Sequence, residues 1–233
     1  MSRSIDAVFG KAIEQLDRED RRLASIEITD TSTTFDHDGF RAINRALSYV
    51  VMGGVLEELM RDLPSALAAD LTSLAIQRRQ LPVSLLSALD AEVFRKCGTD
   101  NVSSLIARTE LLHSAIGHTV DARPVTDFGD FLTLADGQTI NERHFRALWM
   151  LLDLDGDWRN EPNDKFLLQE IKDKRNGIAH WTEDPVQMGR SKRPTELRKM
   201  VSRLSALLEH LQLSMWYWLD SRSVDTNSGK LLN

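Results

Sequence analysis

Seven apolar residues toward the end of the chain, Leu197, Val201, Leu204, Leu208, Leu211, Met215 and Trp218, recur at spacings of 4-3-4-3-4-3 without a break. A strand alternates its side chains between two faces and scatters such a set. A helix at about 3.6 residues per turn gathers it into one stripe. The spacing predicts a long helix, opened by Ser191 and Pro194, lying in a groove between other helices. The groove belongs either to the same chain or to a partner subunit. From Ser221 the tail turns polar and reads as frayed.

The preceding segments carry the same period. Ile5, Val8, Phe9, Ile13 and Leu16 mark a first helix from residue 4 to about 26. A polar stretch over residues 29–38 follows, with Asp38 placed to cap the next helix. There Ile43, Leu47, Val50, Val51, Val55 and Leu59 predict a deeply buried helix that starts at Phe40 and is ended by Pro64. Shorter helices fill residues 64–116, one opened by Asn101 with an apolar face of Val102, Leu105, Ile106, Leu112 and Ile116. Residues 117–138 hold Arg-Pro, Phe-Gly and Asp-Gly pairs and leave room for one short hairpin. Thr139 heads a helix through Phe145, Leu148, Trp149 and Leu152. After a polar loop, Asn163 or Asp164 caps another through Phe166, Leu167, Ile171 and Ile178.

Composition agrees with an all-α fold. Breakers are few, with 12 Gly and 6 Pro in 233 residues, and Leu and Ala are abundant beside only 2 Tyr. The length fits one domain. The lone cysteine, Cys97, excludes a disulfide framework and suits a reducing cytosol. No apolar run reaches the roughly 18 residues of a spanning helix, and the N-terminus lacks the apolar region of a signal peptide. The expected location is the cytoplasm, with no membrane partner.

Searches for common catalytic motifs come back empty: the chain has no P-loop, no dinucleotide fingerprint, no Gly-x-Ser-x-Gly and no His-Glu-x-x-His. The run Asp153-Leu-Asp155-Gly-Asp157 has its glycine at the fourth place rather than the sixth that a calcium loop needs, so it reads as a helix connection. His113 and His118 lie five apart without an acidic residue at ligand spacing, His144 and His210 stand alone, and His37 sits in a polar stretch. No cofactor or metal is implied.

One segment differs from the rest: Lys172-Asp-Lys174-Arg175-Asn176-Gly177-Ile178-Ala179-His180-Trp181. On a helix, Asn176 and His180 stand one turn apart and Arg175 flanks them, while Ile171 and Ile178 hold the opposite stripe. Gly177 weakens the helix beneath this cluster. Arginine is an always-charged fork that grips phosphate oxygens, and histidine titrates near neutrality and can move a proton to or from a ribose or leaving oxygen. The plainer alternative is an arginine paired with Glu170 or Asp173 and a histidine set against the helix dipole.

The run Lys-Arg-Asn-Gly-Ile-Ala-His resembles the Arg-x4–6-His signature of the HEPN superfamily, with its polar residue directly after the arginine. The helix carrying Leu56-Glu57-Glu58 before it and the long amphipathic helix after it resemble the prokaryotic branch found in defence and toxin–antitoxin loci. The resemblance implies a HEPN-like helical bundle of one domain over residues 1–233. Its core would be about 38–64 and 139–221, with an irregular helical insertion over about 65–138 and a frayed tail at 222–233. It further implies a homodimer whose two motifs meet in one cleft and cleave RNA without metal. Arg175 would hold the phosphate, His180 would act as general base or acid, and Asn176 would orient one of them. The product ends would be a 2′,3′-cyclic phosphate and a 5′-hydroxyl. An antitoxin or defence-system protein is a further partner on this view. The alternative is a non-catalytic HEPN module that binds RNA, nucleotide or a protein partner. Two positions depart from the pattern. Trp181 stands where glycine is common, and it either stacks on a base or packs. Thr182 stands where one toxin group carries a modifiable tyrosine.

Charge is unevenly spread. The whole chain carries −6, yet residues 159–203 hold 11 Lys+Arg against 7 Asp+Glu, leaving −10 for the remainder. Lys172, Lys174, Lys192 and Arg193, with Arg190, Arg198, Lys199 and Arg203, either form a basic rim that binds RNA or are solvated charges paired locally.

Overall fold

The structure, a computed structural model, describes residues 3–32, 39–98, 102–118, 121, 125, 134 and 137–223. Three long helices frame it: α1 (Ser4–Ser32), α2 (Phe40–Ser73) and α9 (Pro194–Ser223). Between α2 and α9 in sequence come α3 (Leu86–Leu89), α4 (Ala91–Lys96), α5 (Val102–His118), α6 (Glu142–Leu152), α7 (Asp164–Ala179) and α8 (Pro185–Arg190). No β-strand occurs among the described residues, so the fold is all-α. The hairpin anticipated between residues 117 and 138 falls almost wholly outside them, as do Asp38 and the final ten residues.

The groove that receives the 4-3-4-3 stripe belongs to the same chain. From Leu197 to Trp218 every stripe residue is buried, chiefly against α1 and also against α2 and α7. Burying a side chain of this size is worth roughly 1.5–3 kcal/mol, so this seam is a main source of stability. Helix α1 contributes Ile5, Phe9, Leu16 and Leu23, all fully buried, and is therefore part of the bundle's core. Its start is capped from another helix. The Asp70 carboxylate of α2 accepts from the Ser4 and Ile5 amides at 2.6 and 3.0 Å, satisfying two donors that a helix start leaves open.

Two expectations for α2 are corrected. Pro64 does not end the helix, which runs on to Ser73. A proline inside a helix costs about 3 kcal/mol, but Leu63, Leu67 and Leu71 on the same face are buried and offset it. Nor are all the chosen apolar residues inside. Val55 and Leu59 are buried, whereas Ile43, Leu47 and Val50, together with Phe40, are 37–70% exposed. The inward face is made instead by Ala42, Ala46, Tyr49, Met52 and Leu56.

The same inversion occurs in α5. Val102, Leu105, Ile106, Leu112 and Ile116 are exposed, and Ser104 and Ala107 are the buried residues. Helix α8, absent from the sequence reading, forms because Pro185 presets its first turn and the Asp184 side chain accepts from the Val186 amide at 2.9 Å. It lies so close to α2 that a Cβ on Gly189 would stand 1.7 Å from the Ala42 carbonyl oxygen.

The loop over residues 153–163 is a tied connection. The Trp149 indole donates to the Asp155 carbonyl at 3.3 Å, and the His210 ring, stacked on Trp149, lies 2.8 Å from the Asp157 carbonyl. Hydrogen bonds from the Arg159 guanidinium and amide hold the Asp157 carboxyl down at about 2. No described helix is long and apolar enough to cross a membrane.

Candidate functional site

Helix α7 carries the motif, and its sequence explains where it stops. Ile171 and Leu168 are fully buried, and Ile178 packs at the core's edge. Past Ala179 the chain folds back. The Thr182 and Glu183 amides donate to the Gly177 carbonyl at 3.1 and 3.3 Å, and Glu183 lies over the glycine at 3.2 Å from where a Cβ would be. His180 therefore caps the helix rather than lying within it, with its amide donating to the Asn176 carbonyl at 3.0 Å. Its imidazole is exposed and makes no hydrogen bond among the described residues. Trp181 follows in the left-handed region at φ 55° and is 82% exposed, so it does not pack.

Arg175 is braced on three sides. Its Nη1 donates to Thr139 Oγ1 at 3.3 Å and to Asn176 Oδ1 at 3.2 Å, and its Nη2 lies 2.9 Å from the nearer Glu57 carboxylate oxygen on α2. Thr139, itself buried, donates to Asn176 Oδ1 at 2.7 Å, so the amide oxygen is fixed before it receives the guanidinium. The arginine stem crosses Gly53, where a Cβ would come within 3.1 Å of Arg175 Cγ. With about a quarter of the side chain exposed, the guanidinium is anchored yet open to solvent. The amide of Asn176 thus serves Arg175, and it reaches His180 only through the backbone.

The partner of Arg175 corrects the local alternative. Glu170 is occupied by Lys192 at 2.9 Å and by the Tyr49 hydroxyl, which donates to it at 3.0 Å. Asp173 accepts from Gln169 at 2.7 Å. Burial, and next the Glu170 charge, push the Tyr49 phenol well above the ordinary tyrosine range.

The eight cations do not form one rim. Lys174 pairs with Glu183 at 2.8 Å, beside the motif. Arg198 turns to Asp20 and Glu27 on α1, and Arg203 pairs with Asp164, at the far end of α7 from His180. No ion pair among the described residues reaches Lys172, Arg193 or Lys199. Local pairing thus describes Lys174, Lys192, Arg198 and Arg203. Among the described residues no group of three or more His, Cys, Asp or Glu is placed to hold a metal ion.

The chain matches no protein-family model, no curated protein and no solved structure in comparisons with each.

Two residues of this cluster escaped the reading of the sequence as site residues. Glu57 had a signal, two adjacent carboxylates within the apolar stretch from Val50 to Met60. Thr139 had none, since a threonine before a helix reads as a cap.

Proposed function

We propose that the chain is a metal-independent endoribonuclease of the HEPN kind, with Arg175 gripping the scissile phosphate and His180 transferring a proton. The observation that carries this reading is the bracing of Arg175. Three groups from α2, α7 and the segment before α6 hold one guanidinium with part of it open to solvent, and the His180 imidazole at the end of the same helix is exposed with no hydrogen bond among the described residues. A preoriented cation at the site of developing phosphorane charge, with a side chain to carry a proton, is what RNA transphosphorylation needs.

The partner copy would seat on the outward stripe of α2. Phe40, Ile43, Leu47 and Val50 recur at 3-4-3 spacing, and the same face continues through Gly54 to Glu57. Among the described residues, no atom outside the adjoining helix backbone lies within 4 Å of the place a Cβ on Gly54 would take. A second chain packed on this apolar row would bring its own Arg175 and His180 to one cleft. The role assigned is in anti-phage defence or as a toxin, with a protein partner controlling it. Of the four cations expected to bind RNA, Lys172 and Arg193 have no ion pair among the described residues, whereas Lys174 and Lys192 must first leave their carboxylates.

The test is cleavage of RNA by the purified chain in EDTA, with the ends mapped. Activity that survives EDTA and disappears in both Arg175→Ala and His180→Ala supports the proposal. A strict need for added metal ions sinks it. One observation favours the second reading, a non-catalytic module: the Glu57 carboxylate already occupies part of the guanidinium. RNA binding kept in His180→Ala, without cleavage by the native chain, would select that reading.

A further inference from the structure

Cleavage of RNA by its own 2′-hydroxyl needs two proton transfers, one from the attacking oxygen and one to the leaving oxygen. Within one chain the motif offers a single imidazole. A carboxylate reaches the site from a different helix. The Glu57 carboxylate stands 2.9 Å from the Arg175 guanidinium and is one-third exposed.

Its surroundings favour a reactant over a structural pair. Glu57 lines an open groove of about 580 Å³ between α1 and α2, floored by Val51, Gly54 and Val55. That volume lies in the range of about 300–1,000 Å³ usual for small-molecule sites. Leu56, Leu59 and Met60 bury the opposite face of α2, so the backbone beneath Glu57 is fixed. The acids around it are engaged elsewhere. Glu58 accepts from Lys11 and Gln15, and Glu19 from Arg22.

We infer that Glu57 is the general base of the reaction, taking the proton from the 2′-hydroxyl that attacks. The inference rests on the endoribonuclease reading above. A phosphate gripped by Arg175 puts the ribose on its 3′-oxygen side beside the carboxylate. Glu57 takes the 2′-hydroxyl proton as the 2′-oxygen bonds to phosphorus. The bond from phosphorus to the 5′-oxygen breaks, and His180 gives its proton to that oxygen. The products are a 2′,3′-cyclic phosphate and a 5′-hydroxyl. Glu57 ends protonated and His180 neutral, and solvent restores both.

The experiment compares the full-length native chain with Glu57→Gln and Glu57→Ala in single-turnover cleavage of a 5′-labelled oligoribonucleotide, in EDTA, from pH 5 to 9. Binding of the 2′-O-methyl form of the same oligonucleotide is measured beside it. Glutamine keeps the size of the side chain and an oxygen for Arg175 but cannot take the proton. We expect cleavage at pH 7 to fall at least about 100-fold in both variants, the lower bound for a positioned base. Binding to the 2′-O-methyl oligonucleotide should stay within about threefold for Glu57→Gln. A loss of cleavage matched by an equal loss of binding to the 2′-O-methyl oligonucleotide would overturn the inference and make Glu57 a brace for Arg175. Cleavage unchanged in Glu57→Gln would overturn it outright and leave the endoribonuclease reading standing. RNA left intact by the native chain and by His180→Ala alike would overturn both.

Discussion

The guanidinium of Arg175 and the carboxylate of Glu57 meet at 2.9 Å although 118 residues separate them in the chain. The pair fastens α7 to α2 at the point where the motif faces solvent, and part of each partner remains exposed. Partly exposed pairs of this kind contribute about 0–1 kcal/mol. Arg175→Ala should therefore leave the urea midpoint nearly unchanged while abolishing cleavage. A stability loss well above 1 kcal/mol would mean that the arginine serves the fold.

Gly53 controls how the arginine approaches α2. Alanine there would be the better helix former by about 1 kcal/mol, yet its methyl would meet Arg175 Cγ at 3.1 Å. Gly53→Ala should hold or raise the melting temperature and lower cleavage about tenfold or more, since small misplacements of a catalytic group are costly. Unchanged cleavage would show that Arg175 finds its position without this close approach.

Trp181 keeps a backbone conformation suited to glycine, at a cost of about 1–3 kcal/mol, and leaves its ring in water. An exposed aromatic held under strain suits stacking on a base. Trp181→Gly should raise stability by about 1 kcal/mol in urea titration and weaken binding of single-stranded RNA by about 5- to 100-fold. Stabilisation without any loss of binding would remove the stacking role.

The outward row of α2 makes the dimer testable without touching the site. Leu47→Glu puts a charge on a residue that is 42% exposed, so the isolated chain should fold normally by circular dichroism. Sedimentation should show a dimer for the native chain and a monomer for the variant, and cleavage should be lost. A native chain that stays monomeric at micromolar concentration would remove the composite cleft.

Tyr49 gives a pH-dependent readout of the α2–α7 contact. Burial and the Glu170 charge raise its phenol in the folded chain, so the unfolded chain releases this proton first as pH climbs. The contribution to stability is complete below about pH 10, the ordinary tyrosine range, and declines above it. Alkaline titration followed by tyrosinate absorbance should show Tyr49 ionising only with loss of helix signal. Tyr49→Phe should cost about 1 kcal/mol, as one neutral hydrogen bond is lost.

How far the sequence could be read depended on the range of the forces involved. The α9 stripe was legible because seven residues repeat one spacing and all of them are buried. The α2 and α5 stripes were misread in part because spacing reports that apolar residues share a face, and says nothing of whether another element covers it. Pro64 misled for a related reason: its local cost is fixed, but the packing that offsets it comes from leucines a turn or more away.

Alone, the sequence determined the helical class, the long closing helix and the presence of Arg175, Asn176 and His180 in one short run, because helix period and side-chain chemistry are local properties. The tertiary structure decided that the α9 groove lies within the chain, that His180 caps α7 rather than riding on it, and that Arg175 answers to Thr139 and Glu57. Those outcomes depend on which helices pack together, and pairing between distant segments is settled by the burial of whole faces.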